Sequence, residues 1–400
     1  MIISEKFTCM RDGLAIRGTM FTNVKPTEMT KPLPVAVVSH GFMANQRSVK
    51  AYAEHLAEMG YAAFTFDFCG GCLRGTSDGR TTSMSVLTEK EDLKAVVNYA
   101  GSLLFTDQNS LLLMGCSQGG FVSALAAEEL HAQKLILFYP ALCIPDDARR
   151  GSMMFARFDP SAVPETFKCG PMRLGRIYPE DVMDMDPYRE ISDYTGDVLI
   201  VHGADDRIVN ASYAEQAYET YRHAKKDRIV SLHILRYADH GFRKDEDRNA
   251  LYAVDRFIEG KQEVLTADIE LTDKILRKTG RVTAELTMPF RGTAESPLFK
   301  GVINPGASLV QDTKRGKAVR STMDFFAQGQ DCSGRNCEIH AVCTADKDGK
   351  WKAVLTADSE ALSFLKETVC EANAEYERKG MQMRIYASAQ DCRQVTEKSA

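Results

Sequence analysis

Up to about residue 260, short and continuously apolar runs alternate with longer stretches in which apolar residues recur at helical spacing. Runs that are apolar throughout are typical of strands buried on both faces. Their alternation with helices predicts an α/β fold, in which helices cover both sides of a mostly parallel sheet. The predicted strands are PVAVVSH (34–40), YAAFTFDF (61–68), SLLLMG (110–115), KLILFYP (134–140), DVLIVHG (197–203) and the first part of IVSLHILRYADHG (229–241).

The helical stretches carry start and stop signals. Gly60 closes the first predicted helix, and Asn210 is placed to cap a later one. Thr88 and Glu91 have the spacing of a capping box. The predicted helices are QRSVKAYAEHLAEMG (46–60), TEKEDLKAVVNYA (88–100), FVSALAAEELHA (121–132), ASYAEQAYETYR (211–222) and DEDRNALYAVDRFIEG (245–260).

Three regions depart from this alternation. Near the N-terminus, two alternating runs flank Asp12-Gly13, which predicts an antiparallel hairpin at the sheet edge. Residues 141–190 form an insertion rich in Pro and Met, and an insertion of this length is expected to be functional or a small subdomain. The third region begins at about residue 265, where short alternating runs replace the continuous apolar ones.

We therefore expect two domains, residues 1–262 with the insertion and residues 265–400. The second is predicted to be mainly antiparallel β structure, with one or two helices within 359–380. Its predicted strands are RVTAELTMPF (281–290), PLFKGVINPG (297–306), KAVRSTMDFF (317–326), CEIHAVC (337–343), GKWKAVL (349–355) and MQMRIYA (381–387).

Composition narrows the classes of function. The 400 residues carry a formal net charge of -5, which argues against a dedicated nucleic-acid binder. No stretch approaches the roughly 20 apolar residues of a membrane-spanning helix, and no secretory signal is visible. The 11 cysteines have no regular spacing, so we expect reduced thiols in a cytoplasmic protein.

The stretch Gly115-Cys116-Ser117-Gln118-Gly119 fits G-x-S-x-G between a predicted strand and a predicted helix. The residue at the apex of such a sharp turn needs small residues two positions away on each side. Ser117 has glycine at both positions, whereas Cys116 has Met and Gln there. The register therefore favours Ser117 as the nucleophile and predicts that Cys116 points away from the site.

A serine is a weak nucleophile unless a neighbouring base takes its proton. Of the eight histidines, His240 alone is predicted to lie in a loop beyond the last strand, where an open sheet places its functional groups. The base needs a carboxylate to orient it. Asp205 and Asp206 both follow the strand 197–203, and either could serve on distance alone.

The order Ser, Asp, His resembles the α/β-hydrolase family. The family's H-G-x-x-D loop matches residues 202–206, which selects Asp206 over Asp205. The resemblance also implies an oxyanion hole made by two backbone N–H groups, those of Phe42 in the loop SHGFMAN and of Gln118 after the nucleophile.

Within that family, the first domain resembles the group of cinnamoyl (feruloyl) esterases, serine aminopeptidase-like proteins and lysophospholipase-like proteins. The glycine-rich segment 67–93 carries part of this likeness. In cinnamoyl esterases an insertion after the sixth strand forms a cap, where an Asp and a Tyr recognise the phenolic hydroxyl of the substrate. The matching candidates in this chain are Asp146 or Asp147 and Tyr178.

The second domain more weakly resembles a family of small bacterial β-barrel domains without assigned function. The matching stretches are 298–306, 323–342 and 355–365. The resemblance implies a closed or nearly closed barrel that packs on the hydrolase domain or on a second copy of the chain. It implies no mechanism.

These features together lead us to expect a serine carboxylesterase that needs no metal or organic cofactor. Hydroxycinnamate esters are the first expected substrates and short acyl esters the second. A lysophospholipase, thioesterase or peptidase of the same fold stays open. Outside enzymes, the alternative is a binding or scaffold protein with a thiol or metal site, because Cys69 and Cys72 have C-x-x-C spacing. A zinc site needs about four ligands, however, and no second pair follows.

Overall fold

The computed structural model describes residues 1–389 and residue 392, apart from residues 26, 27, 29, 225–227 and 377–379. The chain folds into two compact units, Met1–Val254 and Asp255–Ala400. Within the described residues, no helix is both long enough and apolar enough to cross a membrane.

The strands of the first unit are β1 (Ile3–Arg11), β2 (Leu14–Thr22), β3 (Leu33–Ser39), β4 (Ala62–Phe66), β5 (Thr106–Cys116), β6 (Lys134–Phe138), β7 (Ser152–Met153), β8 (Ala156–Arg157), β9 (Thr166–Cys169), β10 (Met172–Gly175), β11 (Asp197–Gly203) and β12 (Val230–Leu235). The α-helices are α1 (Lys50–Glu58), α2 (Val86–Gly101), α3 (Gln118–Ala126), α4 (Ile144–Arg149), α5 (Ile177–Met183), α6 (Pro187–Ile191), α7 (Ala211–Ala224) and α8 (Lys244–Ile258), with 3-10 turns at Gln46–Val49 and Thr81–Ser83. The boundary between the two units falls within α8.

The first unit is organised around an eight-stranded sheet in the order β1-β2-β4-β3-β5-β6-β11-β12. From β4 to β12 neighbouring strands are parallel, and their central residues are buried. The hairpin β1–β2 is antiparallel and lies at one edge, with Asp12 and Gly13 both at positive φ in its turn. This arrangement confirms the predicted α/β-hydrolase fold and the predicted edge hairpin.

The signals at the helix ends are confirmed with one exception. Gly60 lies just past α1 at positive φ, and the Asn210 side chain accepts a hydrogen bond from the Ser212 N–H at the start of α7. The predicted capping box of Thr88 and Glu91 is wrong. The capping residue of α2 lies three residues earlier, because Ser85 accepts from the Thr88 N–H at 3.2 Å and Thr88 Oγ1 accepts from the Ser85 N–H at 2.8 Å.

The insertion after β6 contains two short helices, two small hairpins and the helix α5. Strand β7 pairs with β8, and β9 pairs with β10, both antiparallel. Several side chains of this segment, among them Leu142, Leu174 and Val182, are fully buried in the core of the first unit. The insertion is therefore a packed cap rather than a loose loop.

The second unit is an antiparallel sheet. Its strands are β13 (Lys261–Leu271), β14 (Ile275–Lys278), β15 (Thr283–Ser296), β16 (Phe299–Ile303), β17 (Ser308–Lys314), β18 (Lys317–Asp331), β19 (Asn336–Ala345), β20 (Trp351–Ala357), β21 (Val369–Tyr376) and β22 (Gly380–Ser388), with a 3-10 helix at Glu360–Glu367. Strand β13 pairs with both β22 and β15, so the strand pairings return to their starting point.

One part of the prediction for the second unit is wrong. Residues 369–376 were expected to continue a helix, but they form the strand β21. Cys370 and Ala372 point into the core, while Val369 is exposed, so burial alternates with a period of two. Pairing with β20 and β22 on both sides overrides the helix propensity of the Glu and Ala residues.

Candidate active site

The turn between β5 and α3 holds Ser117 in a strained conformation. Its φ of 55° and ψ of -120° lie outside the regions that residues with a Cβ atom readily adopt. The two flanking glycines are sterically required. A Cβ atom on Gly115 would lie 2.2 Å from the Gly119 carbonyl oxygen, and one on Gly119 would lie 2.3 Å from the His40 carbonyl oxygen. The turn thus presents Ser117 at the carboxyl end of a central strand.

The structure brings Ser117, His240 and Asp206 together from three separate loops. His240 Nε2 lies 3.0 Å from Ser117 Oγ, and His240 Nδ1 lies 2.7 Å from Asp206 Oδ2. Because an ionised carboxylate only accepts hydrogen bonds, Nδ1 carries the proton and Nε2 is left as the acceptor toward the serine. Asp205, the alternative on distance alone, is exposed.

Asp206 is held as a carboxylate. Its Oδ1 accepts hydrogen bonds from the backbone N–H groups of Ile208 and Val209 at 2.8 and 2.9 Å, and His202 Nε2 lies 3.2 Å from Oδ2. Burial alone would raise the pKa of Asp206, but the hydrogen bonds from His202, His240 and Val209 outweigh it and hold the pKa well below its usual range. The charge that orients His240 is therefore present at neutral pH.

The loop that contains the predicted oxyanion donor Phe42 packs directly on the nucleophile. A Cβ atom on Gly41 would lie 3.1 Å from the Ser117 Cβ, a tight contact that glycine avoids. Gln118 is the first residue of α3, where no intrahelical carbonyl is positioned to accept its N–H. Gln118 thus directly follows Ser117, and Phe42 directly follows Gly41, which packs on Ser117.

Cys116 lies on the other side of the turn. It is 4% exposed and adjoins the hydroxyl of Tyr139, and burial raises the pKa of its thiol to about 12. A thiol that stays protonated is a poor nucleophile. The Tyr139 ring also contacts His240, with ring centroids 4.8 Å apart.

The cap contributes one of the predicted substrate residues to the neighbourhood of the turn. Tyr178, on α5, is 3% exposed, and its hydroxyl donates to Gln118 Oε1. Its ring also faces Phe42 at a centroid distance of 5.5 Å. The Gln118 side chain in turn donates to Glu89 Oε2 at 2.7 Å. Sequence reasoning missed Glu89, a buried carboxyl group on α2.

The two predicted acidic residues of the cap lie in charge pairs on α4. Asp146 accepts from Arg149 and, at 2.7 Å, from the Tyr213 hydroxyl. Asp147 accepts from Arg150. The side chain of Asp147 is 23% exposed and that of Asp146 is 44% exposed. Asp147 is thus the less exposed of the two.

One group near the site has metal-ligand chemistry. His40, Asp67 and Cys72 place a nitrogen, an oxygen and a sulfur atom within 4.8 Å of one another. All three side chains already take part in hydrogen bonds: His40 Nε2 lies 3.2 Å from Cys72 Sγ and accepts from the Phe68 N–H, and Asp67 accepts from backbone N–H groups. Structural zinc sites use four ligands, and this group supplies three. Cys72 Sγ contacts the His40 ring, and Cys69 and Cys72 are both free thiols.

Comparison with known proteins identifies the family. Residues 17–265, more than half of the chain, match the dienelactone hydrolase family. The protein belongs to this family. As a dienelactone hydrolase family member it has the α/β-hydrolase fold that the sheet order shows, and the match ends near the boundary between the two units.

Two solved structures resemble this chain over nearly their whole length. A structure of Est1E from Butyrivibrio proteoclasticus with ferulic acid bound covers 63% of this chain and 98% of Est1E, with a TM-score of 0.56 and 26% identity. A structure of DcsB in complex with its substrate analogue covers 64% of this chain and 99% of DcsB, with a TM-score of 0.51 and 17% identity, which is a likeness of fold.

A curated sequence relative is matched over a shorter stretch. The quorum-quenching protein AidA of Acinetobacter baumannii (strain MDR-ZJ06) is 34% identical over 99 residues. These residues are 24% of this chain and 32% of AidA, so the chain spans about a third of the length of that relative.

Proposed function

We propose that this dienelactone hydrolase family member is a serine carboxylesterase. The observation that carries the proposal is the unbroken line of contacts from Ser117 Oγ through His240 to Asp206, with distances of 3.0 and 2.7 Å. Such a line lets a base take the serine proton while a buried carboxylate stabilises the imidazolium that forms. The strained turn and the loop containing Gly41 support the same role for Ser117.

The proposed reaction proceeds through an acyl-enzyme. Ser117 Oγ attacks the ester carbonyl carbon as its proton passes to His240 Nε2, and the N–H groups of Phe42 and Gln118 stabilise the oxyanion. His240 then gives the proton to the leaving alcohol. Water, activated in turn by His240, attacks the acyl-enzyme and releases the acid. Asp206 remains ionised throughout.

The proposed substrates are hydroxycinnamate esters first and short acyl esters second. Est1E, the relative with ferulic acid bound, supports the first choice at 26% identity. Within the cap, Tyr178 lies beside the turn, and Asp147 is less exposed than Asp146. We propose Tyr178 with Asp147, or alternatively Asp146, as the residues that recognise a phenolic hydroxyl.

The test is hydrolysis of methyl ferulate, p-nitrophenyl acetate and longer acyl esters by the wild type, Ser117→Ala and Cys116→Ala. We expect Ser117→Ala to lower kcat by at least about 10⁴-fold, while Cys116→Ala stays active. Wild-type rates in Ser117→Ala would overturn the serine mechanism. Cleavage of long acyl esters without methyl ferulate would remove the hydroxycinnamate proposal and leave the esterase.

The neighbouring aspartates offer a matched pair for the acid. Asp206→Asn removes the charge that orients His240, and we expect kcat to fall by about 10⁴-fold. Asp205→Asn changes the exposed neighbour and should leave kcat unaltered. Equal losses in both variants would contradict the assignment of Asp206.

A further inference from the structure

We propose that Glu89, Gln118 and Tyr178 form a positioning chain that fixes the oxyanion N–H of Gln118 and joins it to the cap. The inference rests on the proposed function, because it assigns a purpose to groups around the proposed oxyanion hole. None of the three side chains needs to touch the reacting atoms. They act through the backbone of Gln118.

The contacts use the whole amide of Gln118. Its Nε2 donates to Glu89 Oε2 at 2.7 Å, and its Oε1 accepts from the Tyr178 hydroxyl. Gln118 and Glu89 are 1% exposed, and Tyr178 is 3% exposed. An amide held at both ends in a buried site cannot rotate without leaving polar atoms unpaired, so the side chain is fixed. The fixed side chain restrains the Gln118 backbone, and with it the N–H that directly follows Ser117.

Glu89 is enclosed on the side away from Gln118. A Cβ atom on Gly71 would lie 2.5 Å from Glu89 Oε1, so the glycine-rich loop packs closely against the carboxyl group. Glu89 also lies on the inward stripe of α2, among the buried residues Val86, Leu93 and Val96. The carboxyl group has a fixed position from which to hold the amide.

The other end of the chain lies in the cap. Tyr178 belongs to α5, and helix α5 packs on α4 and α2. When α5 of the cap packs on α2, Tyr178 is held against Gln118, and Gln118 is held against Glu89. The geometry of the oxyanion hole therefore depends on the cap, although the hole itself is made by residues outside it. Loss of the chain should lower kcat and leave KM unaltered, since the oxyanion forms only in the transition state.

The test uses Tyr178→Phe in the full chain, with methyl ferulate and methyl cinnamate as paired substrates. Methyl cinnamate lacks the phenolic hydroxyl. We expect kcat to fall about 10-fold for both esters, with the KM of methyl cinnamate unaltered; this is less than the 10²–10³-fold loss on deleting an oxyanion donor. The inhibition constant of a phenyl boronic acid, which forms a tetrahedral adduct on the serine, should rise by the same factor.

Two further variants keep the test independent of folding at Tyr178. Glu89→Ala breaks the other end and should lower kcat similarly, whereas Glu89→Gln keeps an acceptor for Gln118 Nε2 and should restore it. Tyr194→Phe is the matched control. It removes a buried hydroxyl that donates to the Asp197 carbonyl, away from the turn, and should not change kcat.

The outcomes separate the two proposals. Wild-type kcat for methyl cinnamate in Tyr178→Phe, with a KM increase confined to methyl ferulate, would mean that Tyr178 acts only on the phenol, and the positioning chain would be overturned. Wild-type kcat in Glu89→Ala would overturn it as well. Neither result affects the serine mechanism, which stands or falls on Ser117→Ala. Parallel losses of kcat and boronic acid binding, with recovery in Glu89→Gln, would support the chain.

Discussion

Two buried ionisable groups, Glu89 in the first unit and Arg384 in the second, have opposite kinds of partner. In the first, the 1% exposed Glu89 accepts a hydrogen bond from the neutral amide of Gln118. Burial raises the pKa of Glu89 to about 8; the bond from Gln118 lowers the pKa, and the nearby Asp92 raises it. In the second unit, the 4% exposed Arg384 lies 3.1 Å from Glu263 and 3.7 Å from Glu375.

In the second unit, buried Arg384 lies beside residues of the opposite charge. Burial alone would lower the pKa of Arg384, but Glu263 and Glu375 raise it above its usual range. The ionised pair of Arg384 and Glu263 therefore stabilises the native state, whereas ionisation of Glu89 destabilises it. The backbone offers a second comparison: Ser117 in the first unit is strained at the strand-to-helix turn, whereas Arg315 in the second has a positive φ in a hairpin turn. Unfavourable features collect at the turn where chemistry is proposed.

The largest expected effect is a pH dependence of stability caused by Glu89. Its folded pKa of about 8 is raised above the unfolded value of about 4.3, so the native state binds the extra proton between these values. The stability that protonation of Glu89 gives the native state is fully present below the unfolded pKa and is lost as pH rises through the folded pKa. The free energy of unfolding should fall by about 1.4 kcal/mol per pH unit, or about 4 kcal/mol from pH 5 to pH 8.

Glu89→Gln isolates this contribution from the other titrating groups. The free energy of unfolding of each protein is measured by urea denaturation across the pH range, followed by circular dichroism. The difference between variant and wild type should grow with pH, and the variant should be the more stable at pH 8. A difference that is constant with pH would mean that Glu89 is ionised in the native state at neutral pH, and the contrast between the units would disappear.

In the second unit, neutralising a buried carboxylate is expected to destabilise the native state, whereas Glu89→Gln stabilises it at pH 8. Glu263→Gln removes one carboxylate from buried Arg384, and we expect the free energy of unfolding to fall by about 3 kcal/mol. Trp351 is the single tryptophan of the chain and is 6% exposed in the second unit, so its fluorescence follows the unfolding of this unit. Hydrolysis of p-nitrophenyl acetate should be unaffected. A stability gain in this variant would contradict the interpretation of the pair as stabilising.

Much of the first unit is predictable because continuous apolar runs are stable as strands only when both faces are covered. In the second unit, the strand β21 escaped prediction because its composition favours a helix. What decides its structure is the pairing of Cys370 and Ala372 with neighbouring strands. The start of α2 was misplaced for a similar reason, since Ser85 and Thr88 form as good a cap as Thr88 and Glu91 and only the packed helix selects between them.

In the candidate site too, some residues could be predicted from the sequence and Glu89 could not. Turn register and loop position were enough to select Ser117 and His240, the family resemblance selected Asp206 over Asp205, and the structure brings these three together. Glu89 was missed because a carboxylate on a helix is usually solvated. A signal was present nonetheless: Glu89 occupies the buried stripe of α2, three residues after Val86 and four before Leu93. A charged residue on an apolar stripe indicates either a buried partner or a site.

The smallest expected effect concerns the backbone of Ser117. At φ 55° and ψ -120° a Cβ atom is strained, and Ser117→Ala keeps this atom while Ser117→Gly removes it. Relief of about 1–3 kcal/mol should exceed the added conformational entropy of glycine, about 0.5–1 kcal/mol. We therefore expect the free energy of unfolding of Ser117→Gly, measured by urea denaturation, to exceed that of Ser117→Ala by about 1 kcal/mol.

Arg315→Gly is the matched control for this last prediction in the second unit. Arg315 has a φ of 53° beside Gly316 in the turn between β17 and β18, and hairpin turns adopt positive φ routinely. Its replacement should give a smaller gain than the exchange of alanine for glycine at Ser117. Equal gains at the two positions would mean that the turn at Ser117 stores no more strain than an ordinary hairpin. The difference between the units would then lie in their buried charges alone.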